Sequence, residues 1–464
     1  MNSRSGAWVR ANYPLVTLIL LLAVALVTGG SARDDVPMLA LLRPLGVGAL
    51  VVGLLATDRV TLARYRAPIV MAACWLLLIV VHLIPLPPFI WTAMPGRELA
   101  AEVATAAGMA QPWRPIALVP WRAWNAFYAV LVPLAALLLA ARCDHQQRRV
   151  LLIAVVIGGA LSALVAFLQG IGHDPEFMRF YQYTSAGVPT GLLANRNHQA
   201  AFLCAMLPLL AAVASDPSAA GSPVRRLVAL GVGLGVVPMI LATGSRAGLV
   251  MLAIALLSVP LIYRTPPTRG RAAAAPPWRR ITVMAGIVAI LAVIAILVLR
   301  GPALARLMSA DGDGDARWGI WGPTLTLAGQ YFPVGAGIGA FVDVFEIGEP
   351  ATLLGNSYAN HAHNDILELL LDGGIPAMLL LLVAVIGWGR RMTALVRARG
   401  TDSQHVRIAT AAGIVLLLLG LGSIVDYPIR VPVLACLVAV AAIWMTAPEP
   451  ERQRHMVRRS GNGG

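Results

Sequence analysis

The chain reads as an all-α polytopic integral membrane protein, with about 12 transmembrane helices and one large external loop. Three observations carry that reading. Hydrophobic residues make up 58% of the 464 and charged residues only 12%, with a mean hydropathy of +0.76, far from the balance of a soluble domain. Apolar runs of about 17–25 residues, the length that spans a bilayer as helix, recur along the whole chain. Between them the arginines gather in every second connection, as the positive-inside rule requires.

Taken in order, the runs fall at 14–29, 37–57, 67–86, 123–141, 150–170, 191–214, 225–243, 246–263, 281–300, 363–388, 407–424 and 430–447. Pro133 in the fourth and Gly231, Gly233 and Gly235 in the seventh are tolerated in membrane helices because neighbouring groups satisfy the freed backbone. Arg43-Pro44 is expected to shorten the second run, and almost nothing joins the seventh to the eighth. Gly30-Ser31-Ala32 resembles a signal-peptide cleavage site, but removing the first run would leave an odd helix count, so it is read as retained. The cysteines Cys74, Cys143, Cys204 and Cys436 lie in or beside apolar segments without CxxC spacing, which indicates packing rather than a zinc site or a disulfide framework.

With a cytoplasmic N-terminus, 24 of the 36 arginines but only 6 of the 22 carboxylates fall on the cytoplasmic side. The formal net charge of +14 is therefore a membrane asymmetry and calls for no nucleic-acid partner. The chain divides into N-terminal helices one to five (1–186), helices six to nine with an external turn at Arg246 (187–300), a large external loop (301–362), helices ten to twelve (363–448) and a basic cytoplasmic tail (449–464).

Chemistry concentrates on the external side. The 87–122 connection carries Trp91, Trp113 and Trp121 near its prolines, with Trp124 just beyond, an interfacial aromatic belt. In the large loop, the segment from Arg317 to Leu325 can start a short helix, and Gly335-Ala336-Gly337-Ile338-Gly339 demands tight turns. That glycine run lacks the spacing and βαβ context of a dinucleotide site. Asp311-Gly312-Asp313-Gly314-Asp315 lacks the glycine and glutamate of a calcium loop and reads as a solvated acidic turn.

The richest stretch runs from Asn360 to Asp372. It sets His361, His363, Asn364, Asp365, Glu368 and Asp372 at the mouth of the tenth helix, where each polar group costs free energy unless water, a partner or a substrate satisfies it. The plain alternative is a solvated helix start in which Asn364 or Asp365 caps free N–H groups. Three further external elements join it: Asn195, Asn197 and His198 at the start of the sixth helix, Ser245-Arg246 in the tight turn before the eighth, and Arg317 with Trp321. A lone arginine is ordinarily a snorkelling anchor. Arg246, however, stands between small residues at a helix start, where free N–H groups suit a phosphate.

These pieces together resemble the O-antigen ligase and Wzy-type polymerase superfamily of bacterial envelope glycosyltransferases. The matching elements are the Gly191 to His198 helix start, the Gly-Ser-Arg-Ala-Gly turn at Arg246, Arg317 with Trp321, the turn from Gly337 to Phe341, and His-x-His-Asn-x-x-Leu-Glu from His361, spanning about 187–376. The resemblance implies a glycosyltransferase C-like fold in the bacterial inner membrane. It implies transfer of a glycan from undecaprenyl pyrophosphate to an acceptor hydroxyl, such as that of the lipid A core, at the periplasmic face, with inversion and without metal, nucleotide sugar or other cofactor. His363 matches the family's functional histidine, with His361 its rival on the same motif. Arg246 and Arg317 are candidates for the pyrophosphate, and Asn195, Asn197, His198, Ser245, Trp321, His361, Asn364, Asp365 and Glu368 for substrate binding. A polymerase, a protein O-oligosaccharyltransferase and a lipid-linked glycan transporter are the alternative readings. A transporter would expect ionisable groups at mid-membrane, whereas here they gather at one face.

Overall fold

The computed structural model describes residues 3–172, 174, 176–185, 187–216, 223–263, 314–355, 358–400 and 403–447. The expected ninth run, the arginine-rich 264–280 segment, Asp311 to Asp313 and the basic tail lie outside the described residues, as does the side chain of Arg317.

Within these limits the chain is helical, and each of the other eleven apolar runs forms a helix. They are α1 (Ser3–Thr28), α2 (Leu39–Ala56), α4 (Arg66–Leu83), α7 (Pro120–Arg142), α8 (His145–Ile171), α9 (Arg196–Ala214), α10 (Pro223–Ala242), α11 (Arg246–Ile262), α14 (Asp365–Arg397), α15 (Gln404–Val425) and α16 (Pro432–Thr446). The shorter helices are α3 (Arg59–Arg64), α5 (Pro88–Trp91), α6 (Glu98–Ala106), α12 (Gly314–Gln330) and α13 (Phe341–Gly348). Among the described residues, eight helices are long and apolar enough to cross a membrane, and three shorter apolar ones cover 12–28, 246–262 and 432–446. The starts follow local chemistry. Asp144 and Gln147 form a capping box on α8, and Asn195, Ser245 and Asn364 cap α9, α11 and α14, each side-chain oxygen taking a backbone N–H that the helix leaves unpaired.

Helix α9 is almost wholly buried and packs against α8, α10, α11 and α15. It is therefore the central post, and most other spans turn apolar side chains such as Leu20, Leu54, Leu257 and Leu382 outward, as lipid contact requires. Hydrogen bonds tie the helix ends together at both ends of the bundle. At one end of the bundle, Arg148 is hydrogen-bonded to Tyr65, Arg142 to Asp58, and Arg391 to the Met445 and Ala447 carbonyls. At the other, Val433 N–H donates to Gly29 O at 3.1 Å and Ala194 N–H to Gly30 O at 3.0 Å. These bonds tie the ends of α1, α9 and α16 together.

Three expectations are corrected. Helix α2 runs through Arg43-Pro44 without shortening, because Pro44 stands in the second turn and the lost bond is local. Trp91 is buried, its indole N–H donating to Pro112 O at 2.8 Å. The 87–122 connection is thus a folded cap with a two-residue antiparallel ladder, Pro85 with Pro115 and Leu86 with Arg114. Of its tryptophans Trp113 and Trp121 are exposed, as is Trp124 just beyond it. The tenth run is not one continuous helix from 363: it begins at Asp365 and breaks at Gly374, where φ is 55° and ψ is −148°.

That break is held from outside. The Leu371 and Asp372 carbonyls accept from Ala336 and Gly337 N–H at 2.8 and 2.9 Å, and Ile375 N–H donates to Pro333 O at 2.9 Å. The glycine-rich turn of the large loop thereby satisfies the groups that the break frees, as buried backbone requires. Gly335 and Gly374 carry this contact at positive φ. An added Cβ would lie 2.5 Å from Asp372 O at the first and 2.1 Å from Pro333 O at the second. A second small core forms beneath, with Phe341 stacked on Phe345 and Leu371 packed beside them.

Candidate functional site

The segment Asp365–Gly373 before the break carries three carboxylates, and helical spacing turns them to one side. Glu368 is buried and accepts from the Ala362 N–H at 2.8 Å, while its other oxygen lies 2.9 Å from His361 Nδ1. Asp372 is buried and accepts from Gly339 N–H at 2.9 Å. The Asn364 side chain takes the Ile366 and Leu367 N–H groups, both at 3.1 Å. Just ahead of it, His363 sits in the left-handed region with φ at 49°. A non-glycine residue rarely holds that conformation, at a cost of about 1–3 kcal/mol, unless its surroundings over-determine it.

Its surroundings come from the connection between α15 and α16. His363 Nδ1 lies 3.1 Å from Asp426 Oδ1, and the other Asp426 oxygen accepts from Asn197 Nδ2 at 2.7 Å. His198 Nε2 is 3.7 Å from Asp426 Oδ1, within ion-pair reach but longer than a hydrogen bond. Burial raises the affinity of Asp426 for a proton. His198 and His363, both facing it, reverse that effect and hold its carboxyl well below the usual carboxylate range. Asp426 is therefore an anion in the folded protein. As an acceptor it fixes the proton of His363 on Nδ1 and leaves the Nε2 lone pair available. The imidazole remains partly exposed, with side-chain accessibility of 23% against 3% for Asp426.

Tyr427 completes the cluster. Its ring centroid is 4.2 Å from that of His361, 5.0 Å from His363 and 4.9 Å from His198. Arg430, one turn on, contacts Asp365 at 2.7 Å and Glu368 at 3.0 Å. Burial disfavours its charge, and the attraction of Glu368, Asp365 and Asp372 more than restores it. His361 thus shares its carboxylate with the Arg430 cation and a backbone N–H, whereas His363 shares Asp426 with the Tyr427 N–H, the Asn197 amide and His198. Both histidines precede the helix, and both are anchored.

Of the expected site residues, His361, His363, Asp365, Glu368, Asn197 and His198 meet at this cluster. Asn195, Ser245 and Asn364 are engaged as helix caps. Trp321 donates its indole N–H to Ala362 O at 3.0 Å, so it holds the residue between the two histidines. Arg246 is exposed at the first position of α11. Two residues on, the Gly248 carbonyl lies 3.6 Å from Cys204 Sγ of α9, so Arg246 stands beside the helix that carries Asn197 and His198. The expectations missed Asp426, Tyr427 and Arg430. A signal for two of them was present: Asp426 and Arg430 are the only charged residues between 408 and 448, and isolated charges among apolar runs mark function. Among the described residues, no three His, Cys, Asp or Glu side chains gather as metal ligands.

Residues 230–382 match the family model Wzy_C, described as O-Antigen ligase. The match takes in Arg246, Arg317, the glycine turn and the His361–Glu368 motif, and supports the resemblance read from those motifs. No curated protein matches the chain. Asn197, His198, Asp426 and Arg430 lie outside the matched segment and reach the cluster through the fold.

Proposed function

We propose that the chain, similar to O-antigen ligases over residues 230–382, transfers a glycan from undecaprenyl pyrophosphate to an acceptor hydroxyl at the periplasmic face of the bacterial inner membrane, with the lipid A core as acceptor. The observation that carries the chemistry is the Asp426–His363 pair, an imidazole with one nitrogen held by a buried anion and the other available. In this reading the acceptor oxygen attacks the anomeric carbon as the bond from that carbon to the pyrophosphate oxygen breaks. The hydroxyl proton passes to His363 Nε2, and carrier pyrophosphate leaves with the bonding pair. A single displacement inverts the anomeric centre.

Negative charge grows on the leaving group as that bond breaks, so fixed guanidinium groups stabilise the transition state more than the ground state. Arg246 and Arg317 take that role, which leaves no step requiring a metal. Tyr427 and Trp321 keep the two histidines in register, and position counts because a general base works at about 3 Å from its proton donor.

The test is transfer from purified polyprenyl-pyrophosphate-linked glycan to acceptor by the purified full chain. Product on lipid A core supports a ligase. Extension of one carrier-linked glycan by another identifies the polymerase of the same superfamily, and product on a protein hydroxyl an O-oligosaccharyltransferase. No product with any acceptor, together with movement of the glycan across vesicles, would leave the transporter reading in its place.

A further inference from the structure

A cleft that adjoins the histidine cluster at Arg430 opens at the same end of the molecule. It is walled by Arg33 and Asp34 of the α1–α2 connection, Arg43 of α2, Asn125 and Ala129 of α7, and Arg430 before α16. Three arginines therefore line it, and their pairing is unequal. Arg33 is bidentate with Asp35, at 2.9 and 2.6 Å, and Arg430 is held by Asp365 and Glu368. The one acidic wall residue, Asp34, is committed to Arg122. Arg43 has no carboxylate in ion-pair contact among the described residues. Its Nη2 donates to Asn125 Oδ1, and its Nε is buried without a hydrogen-bond partner among them.

Asp34 attracts Arg43 across the cleft but spends its contact on Arg122; a charge set into a membrane helix with no carboxylate in contact is costly, and an unpaired buried donor adds to the cost. The cleft also borders apolar surface. Leu41 and Leu45 flank Arg43 on α2 and are exposed. On α7 the residues one position before Asn125 and Ala129 are Trp124 and Tyr128, exposed and stacked with ring centroids 6.0 Å apart. Exposed aromatic residues of this kind mark the depth of lipid headgroups. A ligand that satisfies Arg43 and lies along this surface carries an anion at its head and an apolar tail.

We infer that the cleft seats the phosphate of a lipid headgroup, with Arg43 as its principal cation and Arg33 and Arg430 on the rim. A tetrahedral phosphate offers several acceptors to converging forked donors, a geometry in which arginine excels. This is a second anion site, distinct from the one proposed at Arg246 and Arg317. Its use in the reaction rests on the proposed function, because Arg430 joins the cleft to Glu368 and His361. Its occupancy does not. The phosphate has three possible sources: the polyprenyl carrier, a phosphorylated acceptor lipid or bulk anionic phospholipid.

The test is native mass spectrometry of the full chain in neutral detergent with dioleoyl phosphatidic acid, undecaprenyl phosphate or phosphatidylcholine added at equal concentration. Wild-type protein should retain the two phosphomonoester lipids about tenfold more than phosphatidylcholine. Arg43→Gln should lower phosphatidic acid retention about tenfold, equivalent to about 1.4 kcal/mol, and Arg43→Lys should restore part of it. Asn125→Asp serves where Arg43→Gln folds poorly, because it gives Arg43 a counter-ion and repels phosphate. It too should lower retention about tenfold. Arg246→Ala should leave phosphatidic acid bound. Stronger retention of undecaprenyl phosphate assigns the site to the carrier, and equal retention to the headgroup alone; both support the inference. Equal retention of phosphatidylcholine, or phosphatidic acid binding that survives Arg43→Gln and Asn125→Asp but is lost in Arg246→Ala, would overturn it. These readouts involve no glycan transfer, so they stand whether or not the proposed reaction occurs.

Discussion

Asp426 Oδ1 lies 3.1 Å from His363 Nδ1 across 63 residues of sequence, and the same carboxylate takes the Asn197 side chain from the central helix. Three segments distant in sequence thus set one imidazole in one tautomer. Asp426→Asn keeps the shape but can present its amide N–H to Nδ1, which favours the wrong tautomer. Transfer should fall by about 10²–10⁴ at unchanged protein level, measured with purified donor and acceptor. A near-wild-type rate would remove Asp426 from the mechanism.

The carboxyl of Asp426 is held well below its ordinary range by the facing imidazoles against the opposing effect of burial. A depressed value in the fold means that the stabilisation is present above the unfolded value of about 3.9 and is lost as pH falls through the folded value. The stability difference between wild type and Asp426→Asn arising from this carboxylate should therefore still be present at about pH 5. It should be lost only in strong acid. Thermal unfolding at falling pH checks it, and a difference already lost at about pH 5 would contradict the assignment.

His363 and His361 both have carboxylate partners, but Glu368 divides its charge between His361, Arg430 and the Ala362 N–H. His363→Ala should nearly eliminate product, about 10²–10⁴ in rate, and His361→Ala should lose less. The assay is run with a chelator present. The reverse order of the two variants exchanges their roles, and inhibition by the chelator points to a metal.

Arg246 stands at the start of α11 beside the helix that carries His198. Loss of a charge-assisted contact made in the transition state costs on the order of 3 kcal/mol, about a hundredfold in rate. Arg246→Ala should show that loss, and Arg246→Lys should recover only part because a point charge lacks the fork. A well-expressed alanine variant with the wild-type rate would make Arg246 an interfacial anchor.

Gly374 joins positive φ to a backbone contact that leaves no room for a Cβ. Gly374→Ala should destabilise the protein by at least about 1–3 kcal/mol, read as a lower melting temperature in detergent. An unchanged midpoint would mean that the break in α14 does not depend on the glycine turn.

Much of this architecture was legible in local chemistry. Each described apolar run is a helix because an uninterrupted apolar segment in lipid must satisfy its own backbone. The caps at Asn195, Ser245 and Asn364 follow from side chains that reach their own next turn. The polar cluster at 361–368 announced itself by its cost among apolar neighbours. What lay beyond reach was pairing. Each residue turns a helix by about 100°, so which side of α15, α9 or α14 faces inward depends on how whole helices pack. Only the packed bundle could bring Asp426 to His363, Asn197 to Asp426 and Arg430 to Glu368. The break at Gly374 was hidden for the same reason: the donors that make it tolerable, Ala336 and Gly337, come from a different part of the chain. Sequence alone therefore determined where the described apolar helices run and where along the chain the polar groups concentrate. Tertiary structure decided which of them are partners, because ion pairs and hydrogen bonds a few ångströms long are set by packing across tens to hundreds of residues.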